Sequence, residues 1–256
     1  MRLLTLGGFT LLRNGTPVSV EEWRSRKARD LVKLLVTQHG RMVARETLAQ
    51  ALWPDEPPRR TANRLSVALS TVRAVLDPGR RFPSDHFVRA DKVSVGLGAL
   101  DVDVLAFLRV TGEALRRGDA PHDREVLRDA VTAYRGDFLH EDPYLDWAAP
   151  LRERARARHL QVLRTLADLA LAMSDVDETV EYLLRLLEHD SYDEAAHLRL
   201  VAVLRDAGRH GEARRGYRRY VVRMTELGVV PGPFPAPTTP RSPGVQDADQ
   251  VHVGRD

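Results

Sequence analysis

The chain has 256 residues, a formal net charge of +3 and no cysteine, so disulfides and thiolate metal sites are excluded, and no apolar run approaches the roughly 18 residues of a membrane-spanning helix. The length allows two domains, and their charges differ: residues 1–100 hold 17 Lys and Arg against 9 Asp and Glu, a net charge of +8, whereas residues 101–256 hold 22 against 27, a net charge of −5. This division predicts a basic domain that meets a polyanion and a second, acidic domain. The lack of long apolar runs predicts a soluble cytoplasmic protein without a signal peptide.

The first predicted elements are a small sheet and a helix. Short apolar runs at residues 3–6 and 9–12, followed by the tight-turn dipeptide at 14–15, indicate antiparallel strands. Ser25 then precedes a helix over residues 26–38, because its hydroxyl can accept a hydrogen bond from the first helical turn. We therefore expect an N-terminal sheet followed by a helix.

Residues 41–76 pair two helix patterns across a proline-rich turn, as in a helix-turn-helix. The first helix covers residues 44–53, and the prolines within 54–58 end it. The second begins at Thr61, and its apolar residues recur at helical spacing: Leu65, Leu69, Val72 and Leu76. Residues 87–95 then indicate two short strands around a polar tip. The order strand, strand, helix, helix, helix, hairpin is typical of a winged helix.

The outward face of this second helix carries arginine and short hydrogen-bonding side chains, which suit base edges and phosphates. An ordinary amphipathic surface helix has the same pattern, and a GC-rich genome supplies arginine, so both interpretations stay open on this stretch alone. Arg64, placed in the first turn, is expected to reach a guanine edge or a phosphate. Together with basic residues at element ends, the predicted DNA-binding residues are Arg24, Arg26, Lys27, Arg59, Arg60, Thr61, Asn63, Arg64, Ser66, Ser70, Arg73 and Lys92.

Beyond residue 101 the strand signals vanish, and helix patterns continue to about residue 227. Two stretches align at an offset of 34 residues, the spacing of tetratricopeptide (TPR) helix pairs: Leu166, Glu178, Thr179, Leu183 and Leu186 with Leu200, Glu212, Ala213, Tyr217 and Tyr220. Residues 231–256 are rich in proline and are expected to form a disordered tail. The predicted fold class is mainly α, with an N-terminal winged helix of small β strands plus three helices, followed by an all-α TPR-like helical repeat domain.

The sequence contains no motif that indicates an enzyme. It has no phosphate-binding loop, no Gly-x-Ser-x-Gly nucleophile elbow and no His-Glu-x-x-His zinc helix. His189 and His197 come nearest to a metal pair, and we interpret them as structural. Glu141, Asp142 and Asp146 could suggest an acid–base site, but such a cluster more often caps a helix start and solvates a loop. We therefore predict no catalytic residue, no metal and no cofactor.

Two segments resemble known families. Residues 25–76, with the run from Leu48 to Asp55, resemble the OmpR-like winged helix of the antibiotic-regulatory, SARP-type activators. The run Tyr-Arg-Gly-Asp-Phe-Leu at 134–139, with its spacing to Trp147, looks like the bacterial transcriptional activator domain that follows it. The resemblance implies a first domain that binds direct-repeat DNA in the major groove, and a helical domain that mediates self-association or contacts with RNA polymerase.

The sequence thus predicts a DNA-binding transcriptional activator with a winged-helix domain at 1–98, a TPR-like activator domain at 101–230 and the tail at 231–256. Its expected partners are double-stranded DNA and, through the helical domain, RNA polymerase or a second copy, with no membrane and with nucleoid association when bound to DNA. The alternative is a TPR-like interaction scaffold whose winged helix no longer binds DNA tightly. Residues 70–74 lack two positive charges usual in the family, and Asp91 places an acid in the wing.

Overall fold

The computed structural model describes residues 1–118 and 121–236. The chain divides into two compact units, residues 1–173 and a second unit that begins at Ser174. The elements of the first unit are β1 (Arg2–Leu4), β2 (Thr10–Arg13), β3 (Thr16–Pro17), α1 (Arg26–Thr37), β4 (Val43–Ala44), α2 (Arg45–Leu52), α3 (Pro58–Leu76), β5 (Val88–Ala90), β6 (Ser94–Leu97), β7 (Asp101–Val102), α4 (Asp103–Arg117), α5 (Pro121–Ala133) and α6 (Ala149–Ala172). The predicted fold class, a winged helix followed by helices, is confirmed.

Two small sheets accompany the three helices of the winged helix. The first has the strand order β3-β2-β1-β7, with Leu3 opposite Leu11 on one side and Val102 on the other. The second has the order β4-β6-β5, and its antiparallel pair β5–β6 is the predicted hairpin, called the wing below. Because β7 pairs with β1 and leads directly into α4, the helices that follow start from the edge of the N-terminal sheet.

Local signals explain the start of α1 but not that of α3. Ser25 caps α1, and its hydroxyl accepts the N–H of Ala28 at 3.3 Å. Helix α3 begins at Pro58 rather than at the predicted Thr61, because proline is tolerated in the first turn, where its missing N–H has no partner to lose. The predicted start is therefore wrong, and Arg64 lies in the second turn instead of the first.

The run at 134–139 docks against the N-terminal sheet. Phe138 forms an antiparallel bridge with Leu6 and is completely buried. Gly136 has a φ of +149°, and a Cβ at this position would lie 3.2 Å from the Cα of Gly7. Glycine is therefore required for the two backbones to approach so closely. This contact fastens the segment after α5 to the first strands of the chain.

The first compact unit consequently extends past the predicted boundary at 98–101. Buried residues of the run at 134–139 and of α4 and α6 belong to the same hydrophobic core as those of α1 and α3. One shared core holds residues 1–173 together. The predicted domains at 1–98 and 101–230 thus do not coincide with the compact units, and their action as separate functional modules stays a prediction.

The second unit contains α7 (Val176–His189), α8 (Glu194–Asp206) and α9 (His210–Glu226). The carboxylates of Asp175 and Asp193 cap α7 and α8 by accepting backbone N–H groups. Several members of the predicted repeat are buried here: Leu183, Leu186, Leu200 and Tyr220. Tyr217 is half-buried. None of the helices that the structure describes is long and apolar enough to cross a membrane.

Most of the predicted disordered tail, 231–256, lies outside the described residues, which end at Ala236. Residues 231–236 have no regular secondary structure, yet they contact α9. The Tyr220 hydroxyl accepts the N–H of Gly232 at 2.7 Å, and the Phe234 ring lies edge-on to Tyr217 at 5.2 Å. Here the structure differs from the prediction, because α9 supplies a hydroxyl and a ring that bind an extended, proline-rich segment.

Candidate nucleic-acid interface

Helix α3 has one buried and one exposed face, as its apolar spacing predicts. The buried stripe comprises Leu65, Leu69, Val72 and Leu76. The opposite side exposes Arg59, Asn63, Ser66 and Ser70, together with Val67, whose exposure is 67%. This side, called the α3 face below, is open to solvent over the length of the helix. An open helix face of this kind is what a winged helix presents to the major groove.

Arg64, which is also exposed on α3, is held by a carboxylate that the sequence analysis missed. Its Nη1 donates a hydrogen bond to Oε1 of Glu56, which lies in the turn between α2 and α3. Arg60 Nε lies 3.9 Å from the other oxygen of the same carboxylate. Glu56 therefore offsets positive charge where DNA is expected. Glu56 lies in the turn before α3 begins, so helical spacing did not indicate the pair.

Arg73 turns away from the α3 face toward the wing. Its Nη2 donates to the carbonyl oxygen of Val88 at 3.4 Å. With Ser66 and Ser70 it lines a groove of about 500 Å³ between the end of α3 and the segment before β5. The Ser66 hydroxyl donates to the carbonyl oxygen of Ala62 at 3.1 Å, so it offers a ligand its lone pairs.

At the tip of the wing both Asp91 and Lys92 are exposed, but the Asp91 carboxylate is hydrogen-bonded within the turn. The Asp91 carboxylate accepts the N–H groups of Val93 at 2.8 Å and Ser94 at 2.7 Å. These hydrogen bonds lower the pKa of Asp91, and the one from Val93 has the largest effect. Lys92 is exposed at the tip. Arg45, absent from the predicted site, donates from Nη1 to the Asp91 carbonyl oxygen at 3.0 Å and so joins the start of α2 to the wing.

The basic residues at the start of α1 differ in what they contact. Arg24 and Arg26 are exposed. The Lys27 ammonium donates to the carbonyl oxygen of Leu52 at 2.6 Å, at the C-terminal end of α2, where the helix dipole favours a positive charge. Lys27 therefore joins α1 to α2, and a phosphate would have to compete with this carbonyl oxygen for it.

Thr61 is a predicted site residue that the structure places in the interior. It is 4% exposed, and its hydroxyl donates to the carbonyl oxygen of Pro58 at 3.0 Å. Thr61 falls on the same side of α3 as Leu65, which lies one helical turn further along. Its assignment to the DNA-binding residues is therefore wrong, because Thr61 lies four residues before Leu65 and so shares its buried face.

Two of the residues singled out in the sequence, His197 and Asp142, have partners elsewhere in the structure. Within 1–118 and 121–236, no group of three or more His, Cys, Asp or Glu side chains could hold a metal ion. His197 is buried with its Nε2 3.0 Å from the Ser191 carbonyl oxygen, and burial lowers its pKa. Asp142 contacts the Lys33 ammonium at 2.5 Å instead of capping a helix. Asp146 lies in a 3-10 turn before α6, whose N-cap makes no side-chain hydrogen bond.

Two family models match the chain: the bacterial transcriptional activator domain at residues 100–234, and "Transcriptional regulatory protein, C terminal" at residues 21–87. The chain is 31% identical over 236 residues to Regulatory protein AfsR of Streptomyces coelicolor. The match covers 87% of this chain and 23% of that protein, so the chain spans less than a quarter of that relative. A solved structure of Mycobacterium tuberculosis EmbR, in complex with a low-affinity phosphopeptide, has a TM-score of 0.75 at 21% identity and covers 91% of this chain and 62% of its own. That likeness supports the fold.

Proposed function

This chain belongs to the bacterial transcriptional activator domain family, and from that membership we propose that it is a DNA-binding transcriptional activator that uses the α3 face and the wing. The observation that carries the proposal is the open side of α3, where Asn63, Arg64 and Ser66 are exposed on a winged helix. Such side chains bind base edges and phosphates in the major groove. The net charge of +8 in residues 1–100 adds attraction to a polyanion. We propose no catalytic activity and no cofactor.

Arg64→Ala is expected to weaken binding to the specific site by roughly 1–3 kcal/mol and to relax the preference at one base pair, because a bidentate contact with guanine is lost. The measurement is a fluorescence anisotropy titration on a site recovered by genome-wide footprinting. Arg214→Ala removes an exposed arginine from α9 and serves as the charge control, with affinity expected to stay unchanged. Equal affinities of the Arg64→Ala variant and the parent chain would remove the assignment.

Glu56→Gln tests whether the carboxylate that binds Arg64 in the free protein competes with DNA. The Glu56 carboxylate binds Arg64 in the free protein, so DNA has to compete with it. Removing this charge is expected to raise the affinity for duplexes of any sequence, and to do so more than Glu46→Gln, which changes an exposed glutamate on α2. Weaker binding by the Glu56→Gln variant would show that the carboxylate orients Arg64 instead of competing for it.

The salt dependence of binding distinguishes DNA recognition from protein docking. If about four of the exposed basic residues neutralise phosphates, the logarithm of the affinity is expected to fall with the logarithm of salt concentration at a slope of about −3.6. The same titration, repeated between roughly 50 and 200 mM salt, measures this slope. An affinity for DNA that does not change with salt concentration would contradict the proposal and favour the alternative of a protein-interaction scaffold.

We further propose that the chain occupies direct repeats as two copies, with the helical region recruiting the second copy or RNA polymerase. One winged helix covers too few base pairs to be selective in a genome, so a second copy is needed. The full chain is therefore expected to bind a two-site probe cooperatively in a gel-shift titration and a one-site probe weakly. Equal affinity per site on the two probes would assign the helical region to polymerase contacts alone. The cytoplasmic location and nucleoid association also stay proposals.

A further inference from the structure

A groove of about 390 Å³ between α4 and α6 is lined by four arginines. Arg109 and Arg116 come from α4, and Arg154 and Arg158 come from α6. We call this the arginine groove. It lies within the first compact unit, on elements that contribute nothing to the α3 face. Four guanidinium groups here converge on one concavity, although residues 101–256 as a whole carry a net charge of −5.

Most of this charge has no counter-charge among the residues that the structure describes. Arg116, Arg154 and Arg158 make no hydrogen bond or ion pair with any residue in the part of the chain that the structure describes. The one acid in the groove is Glu113, whose carboxylate lies 3.8 Å from Arg109 Nη1. Other arginines of the helical region are bound closely by acids, such as Arg117, 2.7 Å from Asp123, and Arg209, 2.8 Å from Asp177. Gathering like charges without partners is unfavourable unless an anion binds them.

A glycine inside α4 makes room for one of these guanidinium groups. A Cβ at Gly112 would lie 2.8 Å from Nη1 of Arg158, so any larger residue would displace the arginine. Glycine in a helix interior costs about 1 kcal/mol relative to alanine. At this position the glycine leaves space for the end of the Arg158 side chain beside α4.

The positive charge of the groove extends to the base of the wing. Burial lowers the pKa of His39, and the positive charges of Arg154 and Arg41 lower it further. Gly40, the next residue, accepts a hydrogen bond from Arg89 of β5 at 2.7 Å. The positive charge of Arg154 therefore reaches the residues next to β5, whereas the arginines of the groove belong to α4 and α6 and not to the α3 face or the wing.

We propose that the arginine groove binds a small phosphorylated molecule. Guanidinium forks match phosphate oxygens in pairs, and three unpaired arginines suit more than one phosphoryl group. The volume lies in the range of small-molecule sites, about 300–1,000 Å³. The groove is lined by residues of two helices, so it offers a phosphorylated molecule guanidinium contacts from both. The inference goes beyond the proposed DNA binding and does not depend on it.

The test is isothermal titration calorimetry of the full chain with three probes: sodium triphosphate, ATP without divalent metal, and sulfate at matched ionic strength. Triphosphate and ATP are expected to bind, and sulfate much more weakly. Tighter binding of ATP than of triphosphate would identify a nucleotide as the ligand type, and equal binding would identify the phosphate chain alone; either result supports the site. No binding of both phosphorylated probes, or equal binding of sulfate, would overturn it.

Two variants locate the binding in the groove. Arg154→Gln with Arg158→Gln is expected to weaken triphosphate binding by about tenfold or more, because two charge-assisted contacts are lost. The matched control, Arg214→Gln with Arg218→Gln, removes two exposed arginines at the same spacing on α9 and is expected to change it by less than about twofold. Gly112→Ala is expected to weaken binding without changing the charge, and its melting temperature checks the fold.

The same variants distinguish binding of this ligand from binding of DNA. The groove double variant is expected to bind duplex DNA as the parent chain does, since the groove lies apart from the α3 face. Equal losses for triphosphate in both double variants would show non-specific charge attraction and overturn the proposal. A loss of DNA affinity as large as the loss of triphosphate affinity would also overturn it, because the groove would then be part of the DNA-binding surface.

Discussion

Asp142→Ala is expected to lower the free energy of unfolding by about 3 kcal/mol, because it leaves the ammonium of Lys33 buried without its closest carboxylate. The Lys33 side chain is 6% exposed, and its Nζ lies 2.5 Å from Asp142 Oδ2. The value is at the lower end of the range for such pairs, about 3–5 kcal/mol, because Asp30 remains 3.9 Å away and the Phe9 ring lies 5.0 Å from the ammonium.

Urea unfolding followed by circular dichroism measures this loss. Asp146→Ala, an exposed acid of the same loop, is the matched control and is expected to change stability by less than about 0.5 kcal/mol. The triple variant Lys33→Met, Asp142→Leu and Asp30→Asn removes all three charges, because Asp30 would otherwise stay buried without its cation, and it is expected to recover much of the stability, since apolar pairs can replace buried ion pairs. An Asp142→Ala variant as stable as the parent chain would contradict the assignment of a structural ion pair.

Phe138→Ala is expected to destabilise the chain by about 3–5 kcal/mol through lost burial and a cavity. Phe138 is completely buried in the core of the first unit, and its backbone pairs with Leu6, two residues beyond β1. Its carbonyl oxygen also accepts a hydrogen bond from Arg152 Nε at 2.9 Å, so the residue is anchored through both its side chain and its backbone.

Thermal and urea unfolding give the magnitude, and Tyr144→Ala supplies a control. Tyr144 is an aromatic residue of the same segment that is 92% exposed, so its removal should have little effect. Phe138→Leu keeps most of the buried volume and is expected to cost much less than the alanine variant. A Phe138→Ala chain that unfolds at the same urea concentration as the parent chain would place the ring outside the core.

Contacts between distant parts of the chain could not be predicted from local patterns. Lys33 and Asp142 are 109 residues apart, and the sequence analysis interpreted Asp142 as a solvating acid because nothing near it indicates a lysine. The arginine groove likewise combines two helices separated by α5. Even the pair of Glu56 and Arg64 depends on the path of the turn between α2 and α3. Each of these contacts exists only once the helices have packed.

The sequence by itself determined the elements whose signals are local. The N-cap at Ser25, the apolar stripe from Leu65 to Leu76 and the order of strands, helices and hairpin follow from hydrogen bonding and periodicity within a few residues. The start of α3 was wrong because proline both ends helices and begins them, and only the packed structure distinguishes the two roles. Tertiary structure alone decided that Thr61 is buried, because burial depends on which face of the helix meets the core. It also decided that the first compact unit continues to residue 173, because Phe138 is buried in the same core as the residues of the N-terminal strands.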